Sequence, residues 1–143
     1  MDIRKAADED IAAIQTLFGQ LRRRQPPAAD VVVERLGMIE RSPIDELYVL
    51  EDGGEVRAAL GFRLRENIDE ATRYGEVSLL VVRDGFRRSG YGRALMAFAE
   101  GLAKARGCMG TWLVSGTHRA EDAHRFYTAL GYAPTGVRFI KPL

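Results

Sequence analysis

Residues 76–104 read EVSLLVVRDGFRRSGYGRALMAFAEGLAK, and this stretch decides the fold of the chain. Its first part, Val77–Val82, is a nearly unbroken apolar run, which is typical of a central strand covered on both faces. Its last part, Arg93–Lys104, places apolar side chains at helical spacing and predicts an amphipathic helix. A strand, a basic loop with glycines and a helix together form a unit suited to holding a phosphate group.

The loop of this unit, Arg87–Gly92, carries the features that favour an anion. Gly90 and Gly92 allow the backbone to come close to a ligand, and the first amides of the following helix have no partner inside the helix. These amides and the positive end of the helix attract negative charge, and Arg87 and Arg88 add fixed positive charge. The sequence therefore predicts a phosphate-binding loop.

Two common phosphate-binding motifs do not fit this loop. No Gly-Lys-Ser or Gly-Lys-Thr follows the glycines, which excludes a P-loop. In the dinucleotide motif Gly-x-Gly-x-x-Gly the third glycine would fall at Leu95, which excludes that motif as well.

The pattern that is present, Arg87-x-x-Gly90-x-Gly92 after a Val/Leu-rich strand, resembles the acetyl-CoA-binding signature of the GCN5-related N-acetyltransferases (GNAT family). A second stretch, residues 123–132, reads AHRFYTALGY and is similar to the late Ala-x-x-Phe-Tyr-x-x-x-Gly-Phe motif of that family. The two motifs occur in the family's order. Residues 76–132 carry the specific likeness, and the rest of the chain agrees in the order of its elements.

Periodicity along the chain and the resemblance predict the same architecture. The resemblance implies one α/β domain over residues 1–143, with a mixed sheet and the GNAT order β-α-α-β-β-β-α-β-α-β, with or without a further closing strand. The residue patterns predict strand 3–5, a helix from an N-cap at Asp8 through Leu21, helix 29–40, hairpin strands 47–50 and 56–65, the central strand and its helix, strand 110–115, helix 119–130 and closing strands within 132–141.

The resemblance also implies which residues contact acetyl-CoA as the co-substrate. The backbone of Leu80, Val81 and Val82 would pair with the pantetheine arm, because the family often splays this strand from the next one. The other implied contacts are Arg87, Arg88, Ser89, Gly90, Tyr91, Gly92, Arg93, Ala123 and Tyr127. The family often carries a cofactor-contacting asparagine near residue 118, where this chain has Ser115, Thr117 and His118, and His118 is a candidate for that contact.

Glu76 is the candidate general base for deprotonating an acceptor amine. It opens the central strand, and strand alternation predicts that it shares a face with Ser78 and Leu80. A carboxylate beside so apolar a strand is placed to accept a proton. The resemblance puts Glu76 where the histone-acetylating branch carries its base, whereas many other members carry an acid two positions later, at the position of Ser78. A solvated glutamate at a strand start is the alternative interpretation.

Tyr127 is the candidate general acid. The resemblance implies that its hydroxyl points at the thioester sulfur and protonates the departing thiolate. A core tyrosine whose hydroxyl is merely hydrogen-bonded is the alternative. Direct transfer needs neither a covalent enzyme intermediate nor a metal, and neither is predicted. His118 and His124 are the two histidines and have no recognisable ligand partners, and the lone Cys108 is expected to be a buried, inert thiol.

Composition bounds the remaining expectations. A net charge of +1 argues against general affinity for nucleic acid. Without a signal-peptide core or a long apolar run, we expect no membrane span and a cytoplasmic location. The run Arg22-Arg23-Arg24 suits a helix C-terminus better than a binding patch. A homodimer is left open.

Three functions compete at this point. The leading one is an acetyl-CoA-dependent N-acetyltransferase that acts on a primary amine of a small molecule or peptide. A catalytically silent acyl-CoA-binding module is the second, and a phosphate- or nucleic-acid-binding protein that uses the arginine loop is the third. The acceptor is not readable, because its pocket would be built from the first two helices and the closing strands, which carry no motif.

Overall fold

The computed structural model describes residues 1–117 and 121–143. Within them, five strands form one sheet in the order β1-β2-β3-β4-β5, in which β1 to β4 are antiparallel and β5 runs parallel to β4. The elements are β1 (Asp2–Lys5), a short 3-10 turn (Asp8–Asp10), α1 (Ile11–Arg22), α2 (Ala29–Arg41), β2 (Asp45–Asp52), β3 (Glu55–Glu66), β4 (Arg73–Val82), α3 (Tyr91–Ala105), β5 (Thr111–Trp112) and α4 (Asp122–Ala129). The predicted mixed α/β sheet and its element order up to α4 are confirmed.

Apolar side chains pack on both faces of this sheet. On one side, which we call the α1/α2 face, Ile14, Leu17 and Val32 from the two helices pack with strand residues that include Val81. On the other side, the α3/α4 face, buried α3 residues such as Leu95 pack with Leu60, Phe62 and Val77. Burial of each large aliphatic side chain favours folding by about 1.5–3 kcal/mol. The two layers together hold the central strand β4 in place, as its apolar sequence predicts.

A buried ion pair starts the first helical segment. The Asp10 carboxylate accepts hydrogen bonds from the Ala7 amide at 2.8 Å and from two nitrogens of Arg4 at 2.8 and 2.9 Å. The prediction that Asp8 caps this helix is therefore wrong, since the capping carboxylate belongs to Asp10. Asp10 is only 3% exposed, and its guanidinium partner lowers the pKa of the carboxyl.

A β-bulge interrupts β4 at Ser78. Gly61 of β3 pairs with Leu79 and Phe62 pairs with Val77, so Ser78 is an extra residue between two regular pairs. Before the bulge, Val77 lies on the α3/α4 face. After the bulge, Leu80 and Val82 lie on that same face. Leu79 and Val81 pack on the α1/α2 face. The bulge thus shifts the alternation of side chains by one residue.

The last strands differ from the prediction. The strand predicted over 110–115 is observed only at Thr111–Trp112, because these two residues alone pair with β4. The strands predicted within 132–141 are not found, and residues 133–143 are exposed. Apolar alternation by itself does not make a strand, since the backbone also needs a neighbouring strand to pair with. No described helix is long and apolar enough to span a membrane.

Candidate active site

The two central strands separate beside the candidate active site. β5 pairs with β4 at Gly75 and Glu76 only, and β4 continues to Val82 with no strand on that edge within the described residues. On its other edge the same segment pairs with β3 on both sides of the bulge at Ser78, and Leu80 lies opposite Leu60. The edge from Val77 to Val82 therefore offers backbone groups to a ligand. The geometry agrees with the splay that the sequence resemblance implies for residues 80–82.

The predicted phosphate loop leads from this edge into α3. Gly90 is the N-cap of the helix and has φ +85°, a conformation that favours glycine, and no atom of the described residues lies within 4 Å of where its Cβ would be. Ala94 donates the first helical hydrogen bond to Gly90 O at 3.0 Å, so the preceding helical amides have no partner inside the helix. The loop is thus open, exposed at Arg87, Arg88 and Ser89, and suited to an anion.

Charged contacts hold the loop in position. The Tyr91 hydroxyl donates a hydrogen bond to Asp52 Oδ2 at 2.7 Å, which raises the pKa of that hydroxyl and ties the start of α3 to the β2–β3 hairpin. Arg87 pairs with Asp84 at 3.1 Å. Arg88 and Arg93 have no carboxylate within 4.0 Å among the described residues, so both remain able to pair with an added anion.

Helix α4 brings the second sequence motif against the first. The Phe126 ring lies 3.3 Å from where a Cβ on Gly92 would be, so Gly92 allows close packing of α4 on the start of α3. Tyr127 and the half-buried Ala123 lie on this same helix. The Tyr127 ring packs edge-on against Phe126 and Tyr132, with centroids 5.1 and 6.2 Å apart. Tyr127 therefore lies on the α3/α4 face, next to the phosphate loop.

Glu76 lies where β4 and β5 part. It pairs with Trp112 of β5 and Arg63 of β3 in the strand register. One carboxylate oxygen, Oε2, is buried and has no hydrogen-bond partner among the described residues, and its ion-pair neighbour is Arg65, with Nε at 3.6 Å. A buried carboxylate oxygen that lacks a hydrogen bond is able to take one from an added donor.

The faces of the strand decide which residues share the site with Glu76. The predicted alternation is correct for Ser78, since Ser78 Oγ lies 2.5 Å from where a Cβ on Gly61 would be, on the α1/α2 face. The prediction that Leu80 shares this face is wrong, because the bulge turns Leu80 to the α3/α4 core. Glu76 and Tyr127 thus lie on opposite faces of the sheet.

The structure adds two features that the sequence reasoning missed. Gly61 leaves room for the Ser78 hydroxyl, and an isolated glycine within a strand pattern is a signal for a bulge or a close approach. On the same face, a cleft of about 310 Å³ separates the end of α1 from β4. Its lining residues are Phe18, Leu21, Arg22, Arg24, Gln25, Pro27 and Leu79. The arginine run ends a helix as predicted, but two of its side chains also line this cleft.

Other candidate groups contribute less. His118 lies outside the described residues, so its predicted contact has no structural account. Within the described ranges, no three His, Cys, Asp or Glu side chains are grouped so as to hold a metal ion. Cys108 is half-buried, and burial raises the pKa of its thiol, which keeps the thiol protonated and a poor nucleophile.

Comparison with known proteins agrees with this geometry. The family model for the acetyltransferase (GNAT) family matches residues 12–132. An aminoalkylphosphonate N-acetyltransferase of Salmonella typhimurium is 29% identical over 144 residues, covering 99% of this chain and 91% of that protein. An uncharacterised N-acetyltransferase of Bacillus subtilis is 33% identical over 98 residues, which is 68% of each chain.

Solved structures share the whole fold. A GNAT family acetyltransferase of Staphylococcus aureus superposes with a TM-score of 0.83 and 21% identity, covering 99% of this chain and 98% of that one. Together with the two motifs and the parted strands, these matches identify the family. The chain belongs to the acetyltransferase (GNAT) family.

Proposed function

We propose that this protein transfers the acetyl group of acetyl-CoA directly to a primary amine of a small molecule or peptide. The observation that carries the proposal is the opening between β4 and β5 beside the glycine-started helix α3. An extended pantetheine arm can add to the free edge of β4 as a strand would, while the pyrophosphate lies at the start of α3. Residues 1–143 would act as one domain.

Different residues of the site bind different parts of acetyl-CoA in this proposal. The amides that follow Gly90 and the guanidinium groups of Arg88 and Arg93 hold the pyrophosphate, and Gly90 keeps the approach open. The backbone of Leu80, Val81 and Val82 aligns the arm. Arg87, Ser89, Tyr91, Gly92 and Ala123 complete the site around the phosphates and the start of α3. The thioester carbonyl is thereby fixed near the point where the strands part.

Acetyl transfer requires a proton to leave the amine and a proton to reach the thiolate. An alkyl amine has a pKa of about 10 and is protonated at neutral pH. Glu76 accepts the amine's proton, directly or through a water molecule, so that the nitrogen can attack the thioester carbon. The carbon–sulfur bond then breaks, and Tyr127 donates a proton to the departing sulfur. The positions of Glu76 and Tyr127 on opposite faces suit these opposite tasks.

The relative from Salmonella typhimurium acts, by its name, on aminoalkylphosphonates, which combine an amine with an anionic group. We include acceptors of that kind among the candidates for this chain. We also place the protein in the cytoplasm, without a nucleic-acid partner.

Two copies of the chain would associate through the C-terminal segment 133–143. Val137, Phe139 and Ile140 in this segment are 80%, 92% and 75% exposed. The outer edge of β5 pairs with no strand of the described chain, so its backbone groups are available to pair with segment 133–143 of a second copy. Exchange of this segment onto the β5 edge of a second copy would satisfy both.

The function is tested by thiol release from acetyl-CoA with a panel of primary amines, together with calorimetric titration of acetyl-CoA. We expect acetyl-CoA to bind and at least one amine to accelerate release of free CoA. Binding without release for any amine would identify a silent acyl-CoA-binding module. An affinity for oligonucleotides that exceeds the affinity for acetyl-CoA would overturn the cofactor assignment.

The loop assignment is tested by Gly90→Val, whose side chain would fill the space kept open for the pyrophosphate. Gly54→Val is the matched control, because Gly54 also has a positive φ, +76°, and open space, but lies at the tip of the β2–β3 hairpin. Both variants carry similar backbone strain. We expect Gly90→Val alone to lose acetyl-CoA affinity, and equal affinities in the two folded variants would refute the assignment.

A further inference from the structure

The cleft between α1 and β4 is lined by positive charge, which is unexpected for a site that would receive an amine, because the amine is itself positively charged before it loses its proton. Arg22 and Arg24 contribute two guanidinium groups, and the remaining lining residues are apolar or neutral. No carboxylate lies within 4.0 Å of either arginine among residues 1–117 and 121–143. An ammonium group alone would be repelled by such a lining, whereas an anion would find two cations without a bound counter-charge.

Backbone hydrogen bonds define the turn that carries the two arginines, whose side chains are exposed at the cleft. Arg23 ends α1 in the left-handed conformation with φ +53°, and its amide and that of Arg24 donate to Gln20 O and Gly19 O at 3.3 and 3.1 Å. This turn sends Arg22 and Arg24 to the lining and leaves Arg23 out of it.

The loop that follows α1 is fastened back onto the helix. A Cβ on Gly19 would lie 3.1 Å from Pro26 Cα, so the loop packs closely on the helix at a glycine. Gln15 Nε2 also donates to Pro27 O at 2.9 Å. The cleft is therefore preformed, which favours binding because little chain entropy is lost when a ligand enters.

The cleft lies on the same face of the sheet as Glu76. Leu79 in its lining directly follows the bulge at Ser78, and it lies on the same sheet face as Glu76, three residues earlier in β4. A volume of about 310 Å³ suits a small molecule. An acceptor whose anionic group reaches Arg22 and Arg24 would extend its amine along β4 toward Glu76.

We infer that Arg22 and Arg24 form the anion subsite of the acceptor, and that the acceptor is a small primary amine that also carries a phosphonate, phosphate or carboxylate group. The inference rests on the proposed acetyl transfer and specifies its substrate class. Guanidinium groups suit this task because they bind tetrahedral and planar oxyanions through paired hydrogen bonds. Leu21, Phe18 and Leu79 would pack against the carbon chain between the two charges.

The test compares four amines with the same two-carbon spacing: 2-aminoethylphosphonate, O-phosphoethanolamine, β-alanine and ethanolamine, which carries no anionic group. We expect kcat/KM for the best anionic amine to exceed that for ethanolamine by about 100-fold, since two charge-assisted contacts are involved. The three anionic amines distinguish phosphonate, phosphate and carboxylate as the recognised group.

Single variants locate the subsite. The ratio to measure is kcat/KM for the best anionic amine divided by kcat/KM for ethanolamine. Arg22→Gln and Arg24→Gln should each lower this ratio by about tenfold or more, chiefly by raising KM for the anionic amine. Arg23→Gln is the matched control, because it removes the same charge from the same run but does not line the cleft. It should leave the ratio unchanged. If all three variants show the same preference for the anionic amine over ethanolamine, or if the wild-type protein shows no such preference, the proposed subsite is refuted.

A binding measurement separates this inference from the proposed reaction. Calorimetric titration of 2-aminoethylphosphonate into the CoA-loaded protein should show binding that weakens about tenfold in Arg22→Gln and Arg24→Gln but not in Arg23→Gln. If no amine releases thiol, the proposed transfer fails while this titration still decides the subsite. If thiol release occurs equally with all four amines and no selective binding is seen, only the subsite fails.

Discussion

At the scale of single residues, the Tyr127 hydroxyl is the group whose proposed role is most directly tested. Tyr127→Phe retains the ring that packs on Phe126 and Tyr132 and removes the hydroxyl proposed as the proton donor. We expect turnover to fall by about 10²–10⁴-fold. The acetyl-CoA dissociation constant, measured by calorimetry, should stay nearly constant because the ground state does not use this proton.

Tyr132→Phe supplies the control for that experiment. The Tyr132 hydroxyl contacts Thr111 Oγ1 at 2.6 Å and donates to Glu100 at 3.1 Å, so its removal disturbs hydrogen bonds close to α4 without touching the proposed proton donor. This variant should turn over at close to the wild-type rate. Turnover by Tyr127→Phe within about twofold of wild type would leave Tyr127 as a packing residue.

Glu76→Gln tests the proposed base. The amide keeps the shape of the side chain and loses its basicity, so the rate should fall at neutral pH and recover partly as the pH rises toward the amine's own pKa of about 10. The pH–rate profile measured by thiol release checks this. Glu66→Gln is the control, since it removes an exposed carboxylate that pairs with Arg73 on a neighbouring strand. If Glu76→Gln keeps the wild-type pH–rate profile, Glu76 is not the general base, and a water beside Ser78 or bulk solvent accepts the proton instead.

The buried carboxylate of Asp10 governs stability rather than catalysis. Its pKa is lowered by the Arg4 hydrogen bonds, so its contribution to the free energy of unfolding is present above the ordinary aspartate pKa and is lost as the pH falls below about 4. Asp10→Asn should lower the free energy of unfolding by about 2 kcal/mol at pH 7, measured by urea denaturation. The difference from wild type should shrink below pH of about 4. The neighbouring exposed Asp8→Asn should show neither effect.

At the scale of secondary-structure elements, the bulge of β4 depends on a glycine in the adjacent strand. A Cβ on Gly61 would lie 2.5 Å from Ser78 Oγ and 3.1 Å from Leu79 Cβ, so Gly61→Ala must displace the bulge. We expect a loss of about 1–3 kcal/mol in the free energy of unfolding. Ser78→Gly in the same chain should restore part of it, because the nearest clashing atom is then absent.

A glycine-to-alanine substitution in a helix should raise the free energy of unfolding instead of lowering it. Gly101 lies in α3, is exposed, and has no atom within 4 Å of a Cβ. Gly101→Ala should stabilise the protein by about 0.5–1 kcal/mol, since alanine favours a helix. Denaturant unfolding of both variants measures the contrast. If Gly61→Ala leaves the free energy of unfolding unchanged, the bulge does not need the space that glycine leaves.

At the scale of the whole molecule, the proposed homodimer depends on the C-terminal segment. Deleting residues 134–143 removes the exposed Val137, Phe139 and Ile140 and leaves α4 and Tyr132 intact. We expect the full chain to elute as a dimer in size-exclusion chromatography with light scattering, and the truncated chain as a monomer. Replacing Phe139 and Ile140 by serine should have the same effect, because the apolar surface rather than the length drives the exchange. A monomeric full chain would contradict the proposed homodimer.

Local patterns in the sequence determined the family and most of the architecture. The apolar run before Arg83, the glycines at 90 and 92, and the helical periodicity after them each depend on residues close in the chain, so they could be interpreted without the fold. The order of strands and helices as far as α4 followed from the same periodicities. The two motifs meet in the fold where Phe126 of α4 packs on Gly92 at the start of α3.

Tertiary structure alone decided which faces and partners these residues have. The bulge at Ser78 arises from pairing with β3, and it moved Leu80 to the opposite face from Glu76. The residues predicted to form closing strands found no neighbour within the described chain, although their pattern is apolar. Arg22 and Arg24 became the lining of a cleft because β4 passes beside the end of α1. Strand register and long-range packing depend on residues far apart in sequence, and no local pattern encodes them.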